Sequence, residues 1–162
     1  TVGDMSYETA ATTKSLSDSA IVSTLFTINS EEIDTANMAA KKSMNEAVQR
    51  YAQQVVVDHQ NADTQLKEIK SKNDLGMENS ALNRNIRKVN KEAIKRVNKL
   101  DGADFDRAFM DRQIQMNTRC LQLIDNVLMK KATNEGLRTY IANLRNLIET
   151  HLRHAEQVRS AL

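Results

Sequence analysis

Residues Leu137 to Leu162 read LRTYIANLRNLIETHLRHAEQVRSAL, and the fold is clearest in this stretch. Leu137, Ile141, Leu144, Ile148, His151, Ala155, Val158 and Leu162 recur in alternating steps of four and three. That spacing tracks the 3.6-residue period of an amphipathic helix, so His151 falls on the stripe that packs inward. Two other segments repeat the pattern, with His59 and Asn117 standing in apolar seams where a plain bundle carries Leu or Val. A buried polar group without a partner costs about 1–3 kcal/mol. Several in one core therefore imply a shared network, bound water or a ligand.

The whole chain of 162 residues has no proline, four glycines, 4% aromatic and 27% charged residues, a composition of long helices rather than of a sheet with many turns. One domain over residues 16–162 is expected, preceded by a flexible leader over residues 1–15 that is rich in Thr, Ser and Ala. A first helix is expected from about Ser17 to Ala40, with Ile21, Leu25, Ile28, Glu32, Ala36 and Ala39 on one face. After a break near Lys42 to Asn45, a second helix carries Val48, Tyr51, Val55, His59, Ala62, Leu66 and Ile69, ending at Asn73 to Gly76. Ile86, Val89, Ile94, Val97 and Leu100 mark a shorter, basic helix at one end or side of the bundle. A third long helix, with Asp104 as its expected cap, runs to about Lys131. Asn134, Glu135 and Gly136 turn it back into the last helix. The fold class is all-α, an antiparallel up-down four-helix bundle with an extra short basic helix between the second and third long helices.

Depth along the bundle follows from counting back from the turns. Asn117 and His151 each lie 17 residues from Asn134, so they are expected at one level and in direct or water-mediated contact. Glu32 lies 11 and His59 16 residues from Ser43. That mismatch is roughly 7 Å along the axis and puts Glu32 a turn above or below the histidine layer, unless the break is misplaced.

Charge is asymmetric. Residues 1–80 hold 7 basic and 12 acidic side chains, residues 81–162 hold 16 and 9, and the total is +2. Complementary halves packed together account for this simply. Arg84, Arg87, Lys88, Lys91, Lys95, Arg96 and Lys99 form the densest basic run, read either as a solvated helix face or as a face for nucleic acid or anionic lipid. Without interleaved aromatics or a nucleic-acid motif, no nucleic-acid partner is expected. No apolar run reaches the roughly 20 residues needed to span a bilayer. The lone Cys120 reads as core filler and leaves the redox compartment open.

Taken in order, Glu32 in a helix that continues to Ala39, VQRYAQQVVVDH (Val48 to His59), LDGADFDRAFMDRQIQ (Leu100 to Gln115) and LRNLIETHLRHA (Leu144 to Ala155) resemble a bacterial family of unknown function. Its members are described as predicted outer-membrane or periplasmic proteins with a ferritin-like bundle. The resemblance implies an exported protein whose signal peptide has been removed, in keeping with a chain that begins at Thr1, and no established reaction. Where that family usually supplies a histidine, this chain has Asn117.

Candidate chemistry is sparse. Di-metal carboxylate bundles need a Glu three residues before the ligand histidine, but Val56 and Ile148 precede His59 and His151 at that distance. A single metal held by His59 and His151, with Glu32 as a third ligand, stays open, although it falls short of the three or four strong ligands usual for zinc. His154 reads as a boundary residue beside the seam, or as a further ligand. Asp58, turned about 100° from His59, is expected to pair at the surface, and Asp106 to favour a helix N-terminus. No phosphate loop, nucleophile elbow or haem motif occurs, so no cofactor is demanded. The leading expectation is a non-enzymatic envelope protein that acts by binding, with His59, His151, Asn117 and Glu32 as an interior polar layer. Two alternatives stand: a metal- or small-molecule-binding interior, with or without enzymatic activity, and an immunity or inhibitor factor that docks a partner through the basic run.

Overall fold

Four of the five long helices start where a side chain satisfies backbone N–H groups that the helix itself leaves free. The structure, a computed structural model, describes residues 7–162. Among them lie α1 (Ala10–Thr13), α2 (Asp18–Lys42), α3 (Glu46–Lys72), α4 (Ala81–Val97), α5 (Gly102–Leu123), a π turn (Ile124–Leu128), α6 (Met129–Lys131) and α7 (Glu135–Ser160). The side chains of Ser17, Asn45, Ser80 and Asn134 accept from the first turns of α2, α3, α4 and α7. Asp104 is not the cap of α5. Gly102 takes the left-handed conformation (φ +56°), which lets the helix begin directly after Asp101. Asp104 then sits in the first turn, bonded to Arg107 at 2.7 Å.

The all-α bundle read from the sequence is the observed fold. α2 packs on α3, α3 on α7 and α7 on α5, while α4 bridges α2 and α5 and so closes the ring as a fifth wall. Its buried face of Leu82, Ile86, Val89, Ala93 and Val97 makes it part of the core. Residues 1–6 of the expected leader lie outside the described residues. From Tyr7 onward the chain is laid against α4: Tyr7 is buried, its hydroxyl donates to Asn90 Oδ1 at 2.7 Å, and its carbonyl accepts from Asn85 at 2.7 Å.

At the far end, Asp18 at the start of α2 holds the turn between α6 and α7. Its carboxylate accepts from Thr133 N at 2.8 Å, Thr133 Oγ1 at 2.7 Å and Asn134 N at 3.0 Å. Asp18→Ala is expected to cost about 1–2 kcal/mol, since three donors lose one acceptor group in a partly solvated place. A thermal melt that matches wild type would show that the turn holds itself.

Two apolar clusters fill the bundle, and a polar layer divides them. Ile21, Leu25, Ile28, Leu66, Ile86, Leu123, Ile141 and Ile148 belong to one cluster, and Ala36, Tyr51, Val55, Phe105, Phe109 and Ala155 to the other. Every long helix contributes a buried polar residue at the boundary: Glu32 between Ile28 and Ala36, His59 between Val55 and Ala62, Asn90 between Val89 and Val97, Gln113 and Asn117 between Met110 and Cys120, and His151 between Ile148 and Ala155. No helix among the described residues is long and apolar enough to cross a membrane.

Candidate functional site

The polar layer has two halves, and hydrogen bonding sets the proton positions in the first. Tyr140 on α7 donates its hydroxyl hydrogen to Ala62 O at 3.0 Å and accepts from Asn29 Nδ2 on α2 at 3.0 Å. Asn29 must then turn its carbonyl oxygen to His59, 2.8 Å from Nδ1. The hydrogen of His59 therefore sits on Nδ1, and Nε2 keeps a lone pair. Across the interface, His151 Nε2 lies 2.8 Å from Asp58 Oδ2, while Asp58 Oδ1 accepts from Gln54 at 2.9 Å. A carboxylate acceptor places the His151 hydrogen on Nε2 and leaves the lone pair on Nδ1. The two rings stand 5.2 Å apart between centroids, tilted by 48°.

His59 is fully buried and His151 is 2% exposed. Burial, followed by the neighbouring His151, pushes His59 down to about 3. Burial also lowers His151, against the opposite pull of Asp58. Both are neutral near pH 7, and His59 Nε2 and His151 Nδ1 are buried without a hydrogen-bond partner.

The second half centres on Glu32, 2% exposed on α2. Burial raises its carboxyl to about 7, against the opposing pull of Arg112 and Gln113 on α5. Tyr51 on α3 donates to Gln113 Oε1 at 2.9 Å, and Asn117 donates to Gln113 O at 2.9 Å and to the Tyr51 hydroxyl at 3.4 Å. Arg112 is 4% exposed and donates to Asn90 Oδ1 at 2.5 Å. His154 is edge-on to Tyr51 at 5.1 Å, the boundary position expected of it.

The structure thus brings His59 and His151 together and separates Glu32 from them. Among the described residues no group of three or more His, Cys, Asp and Glu side chains is placed to hold a metal ion, so Glu32 does not complete a ligand set with the two histidines. The physical reason is the axial offset already visible in the counting: Glu32 sits apart along α2 and faces Arg112 and Gln113. Asn117 is equally drawn to Tyr51 and Gln113, and no hydrogen bond joins it to His151 among the described residues. Asp58 does not face the point that His59 faces, yet it is no mere surface group, because it crosses to α7 and fixes His151. Asp106 is buried and accepts from Ser43 Oγ at 2.5 Å, a tie between the α2–α3 turn and α5 rather than a simple helix-end charge. Sequence reading missed Asn29, Tyr140, Gln113 and Arg112. Asn29 lies three residues before Glu32 and Gln113 four before Asn117, helical spacings that extend the same seams. Arg112 carries no such signal, since arginine ordinarily faces water.

The basic run forms a second feature, on the outside. Arg84, Arg87, Lys88, Lys91, Lys95, Arg96 and Lys99 are all exposed. Arg84, Arg87, Lys88, Lys91 and Lys95 lie within about 100° of the α4 circumference, opposite the buried face, while Arg96 is turned aside and Lys99 lies past the helix end. Glu92 is the one acid in α4. Among the described residues none of the seven has a carboxylate within 4.0 Å. Glu31 and Asp34 on α2 share a cleft of about 540 Å³ with Arg87, Lys91 and Lys95 but, among the described residues, make no ion pair with them. Large apolar side chains stand exposed in the segments flanking the helix, Met77 at 57% before it and Leu100 at 39% after it.

Comparison with known proteins adds a family and no activity. Residues 4–158 match the family described as domain of unknown function (DUF4142). No curated protein and no solved structure matches the chain.

Proposed function

The chain belongs to the DUF4142 family, a domain of unknown function, and we propose that it is a non-enzymatic binding module of the bacterial cell envelope that attaches through α4 to an anionic, phosphate-bearing membrane surface. The observation that carries this reading is the row of exposed cations Arg84, Arg87, Lys88, Lys91 and Lys95 on α4, none of which forms an ion pair within 4.0 Å among the described residues. From Arg84 to Lys95 the row extends about 17 Å along the helix, a face suited to a flat surface. Lys and Arg near an anionic membrane contribute about 1 kcal/mol each, and about 4–8 of them on one amphipathic helix suffice for attachment. An exported location is supported by the sequence marks around His59, Asp106 and His151. On this reading the polar layer inside fixes how the helices register against one another.

The reading is tested by sedimenting the protein with vesicles rich in phosphatidylglycerol and with neutral phosphatidylcholine vesicles. Binding to the first alone is expected, weakening between about 0.05 and 0.3 M salt as the Debye length shortens from about 14 to about 6 Å. Lys88→Glu, Lys91→Glu and Lys95→Glu together should lower that binding about 100-fold or more, because each reversal swaps attraction for repulsion. Wild-type protein that ignores anionic vesicles at low salt, yet loses capture of an acidic protein when the three charges are reversed, would replace the membrane with a protein partner.

A further inference from the structure

The geometry points to a site for one soft monovalent metal ion, Cu(I), between His59 and His151, and we propose that the bundle binds it there with these two imidazoles as its protein ligands. Each ring has one nitrogen committed to an oxygen, His59 Nδ1 to Asn29 and His151 Nε2 to Asp58. Each therefore offers its other nitrogen as a lone pair, buried and without a partner. A metal-bound histidine has this arrangement: the remote N–H donates to a carbonyl or carboxylate, which fixes the tautomer and orients the ring. Here the support extends further, from Asn29 through Tyr140 to Ala62 O, and from Asp58 to Gln54. Spacing agrees as well. A metal at about 2.0 Å from one nitrogen of each ring holds the ring centroids about 6.3 Å apart when the N–metal–N angle is linear and about 5.2 Å apart when it is bent to about 110°; they stand at 5.2 Å, the bent arrangement.

Ion identity follows from ligand number and charge. Zinc takes three or four strong ligands, and no third His, Cys, Asp or Glu joins the pair among the described residues. Cu(I), a closed-shell ion, is content with two or three neutral donors, and imidazole is a ligand that copper accepts. Two neutral imidazoles backed by the single carboxylate of Asp58 balance one positive charge, as a buried ion requires. A cleft of about 220 Å³ between α3 and α7, lined by Asp58, Ala62, Tyr140 and Leu144, reaches the groups that support both rings.

The test is an anaerobic titration of intact protein with Cu(I), held reduced by ascorbate, against a chromophoric Cu(I) chelator, followed by ¹⁵N spectra of the histidine rings. One equivalent is expected to be withdrawn from the chelator. On binding, the resonances of His59 Nε2 and His151 Nδ1 should move and those of the protonated nitrogens should stay nearly in place. His151→Asn and His59→Asn, each checked for helicity, should weaken uptake at least about 100-fold, at or beyond the roughly 10–100-fold that loss of a mere supporting partner costs, whereas Met44→Leu with Met77→Leu should not. Failure to compete with the chelator, uptake unchanged in either histidine variant, or ring shifts confined to His154 would each overturn the assignment. Because the ¹⁵N readout uses wild-type protein, a variant that does not fold leaves the test decisive.

Discussion

Glu32→Gln is expected to stabilise the protein by about 3 kcal/mol at pH 8 and to leave it unchanged below pH 4.5. The carboxyl of Glu32 titrates near 7 in the fold against 4.5 in the unfolded chain, because burial penalises its charge more than Arg112 and Gln113 relieve it. A carboxyl whose folded pKa is raised holds its proton longer in the native state. Its destabilising effect is therefore absent below pH 4.5, grows as pH rises, and is complete above about 7. Every tenfold change in proton affinity between the two states corresponds to about 1.4 kcal/mol, which sets the size of the effect. Gln keeps the shape and the hydrogen-bonding oxygen while removing the charge. Urea unfolding at pH 8, 6 and 4 reads the difference directly. A variant less stable than wild type at pH 8 would show that the Glu32 charge is needed to offset buried Arg112, and would sink the prediction.

His59 titrates with the opposite sign, and in chelator-treated protein its effect is expected to be larger. Its folded pKa is about 3 against 6.5 unfolded, so the unfolded chain takes up a proton that the folded chain refuses. Stability is intact above pH 6.5 and falls as pH drops toward 3, by about 1.4 kcal/mol for each pH unit and approaching about 5 kcal/mol in all. His151, lowered for the same first reason, adds to the loss. In wild type, Glu32 hides much of this, because between pH 4.5 and 6.5 its slope opposes that of His59. The wild-type profile should be nearly flat across that window and steep below it. Glu32→Gln should uncover a loss of about 3 kcal/mol between pH 6.5 and 4.5. Adding His59→Asn, which retains a donor toward Asn29, should flatten that window again. If the acid loss in the Glu32→Gln background survives His59→Asn undiminished, other groups carry it.

Both predictions depend on residues whose burial was legible from period alone. His59, His151, Glu32 and Asn117 stand in helical seams, and all four are buried. The number of long helices, their turns and the basic helix between the second and third were equally legible, since heptad-like spacing, capping side chains and Asn/Gly turns are local signals. Local signals also explain the misplacement of the cap of α5, which turns on the positive φ of Gly102. The π turn at Ile124–Leu128 had no signature, because the apolar run around it reads equally well as an uninterrupted helix.

That this chain is an all-α bundle, which residues face inward, and that polar groups interrupt its core all follow from the amino-acid sequence, because the period of apolar residues along each helix is a local property. Which of those polar groups meet is a property of the packed bundle. His59 faces His151 because α3 packs on α7; Glu32 turns to Arg112 and Gln113 because of its depth along α2; and Asp58, turned away from His59 on its own helix, reaches His151 on another. Axial offsets of a single turn and the rotation of one helix against its neighbour set those meetings, and neither quantity is written in the pattern of any one helix.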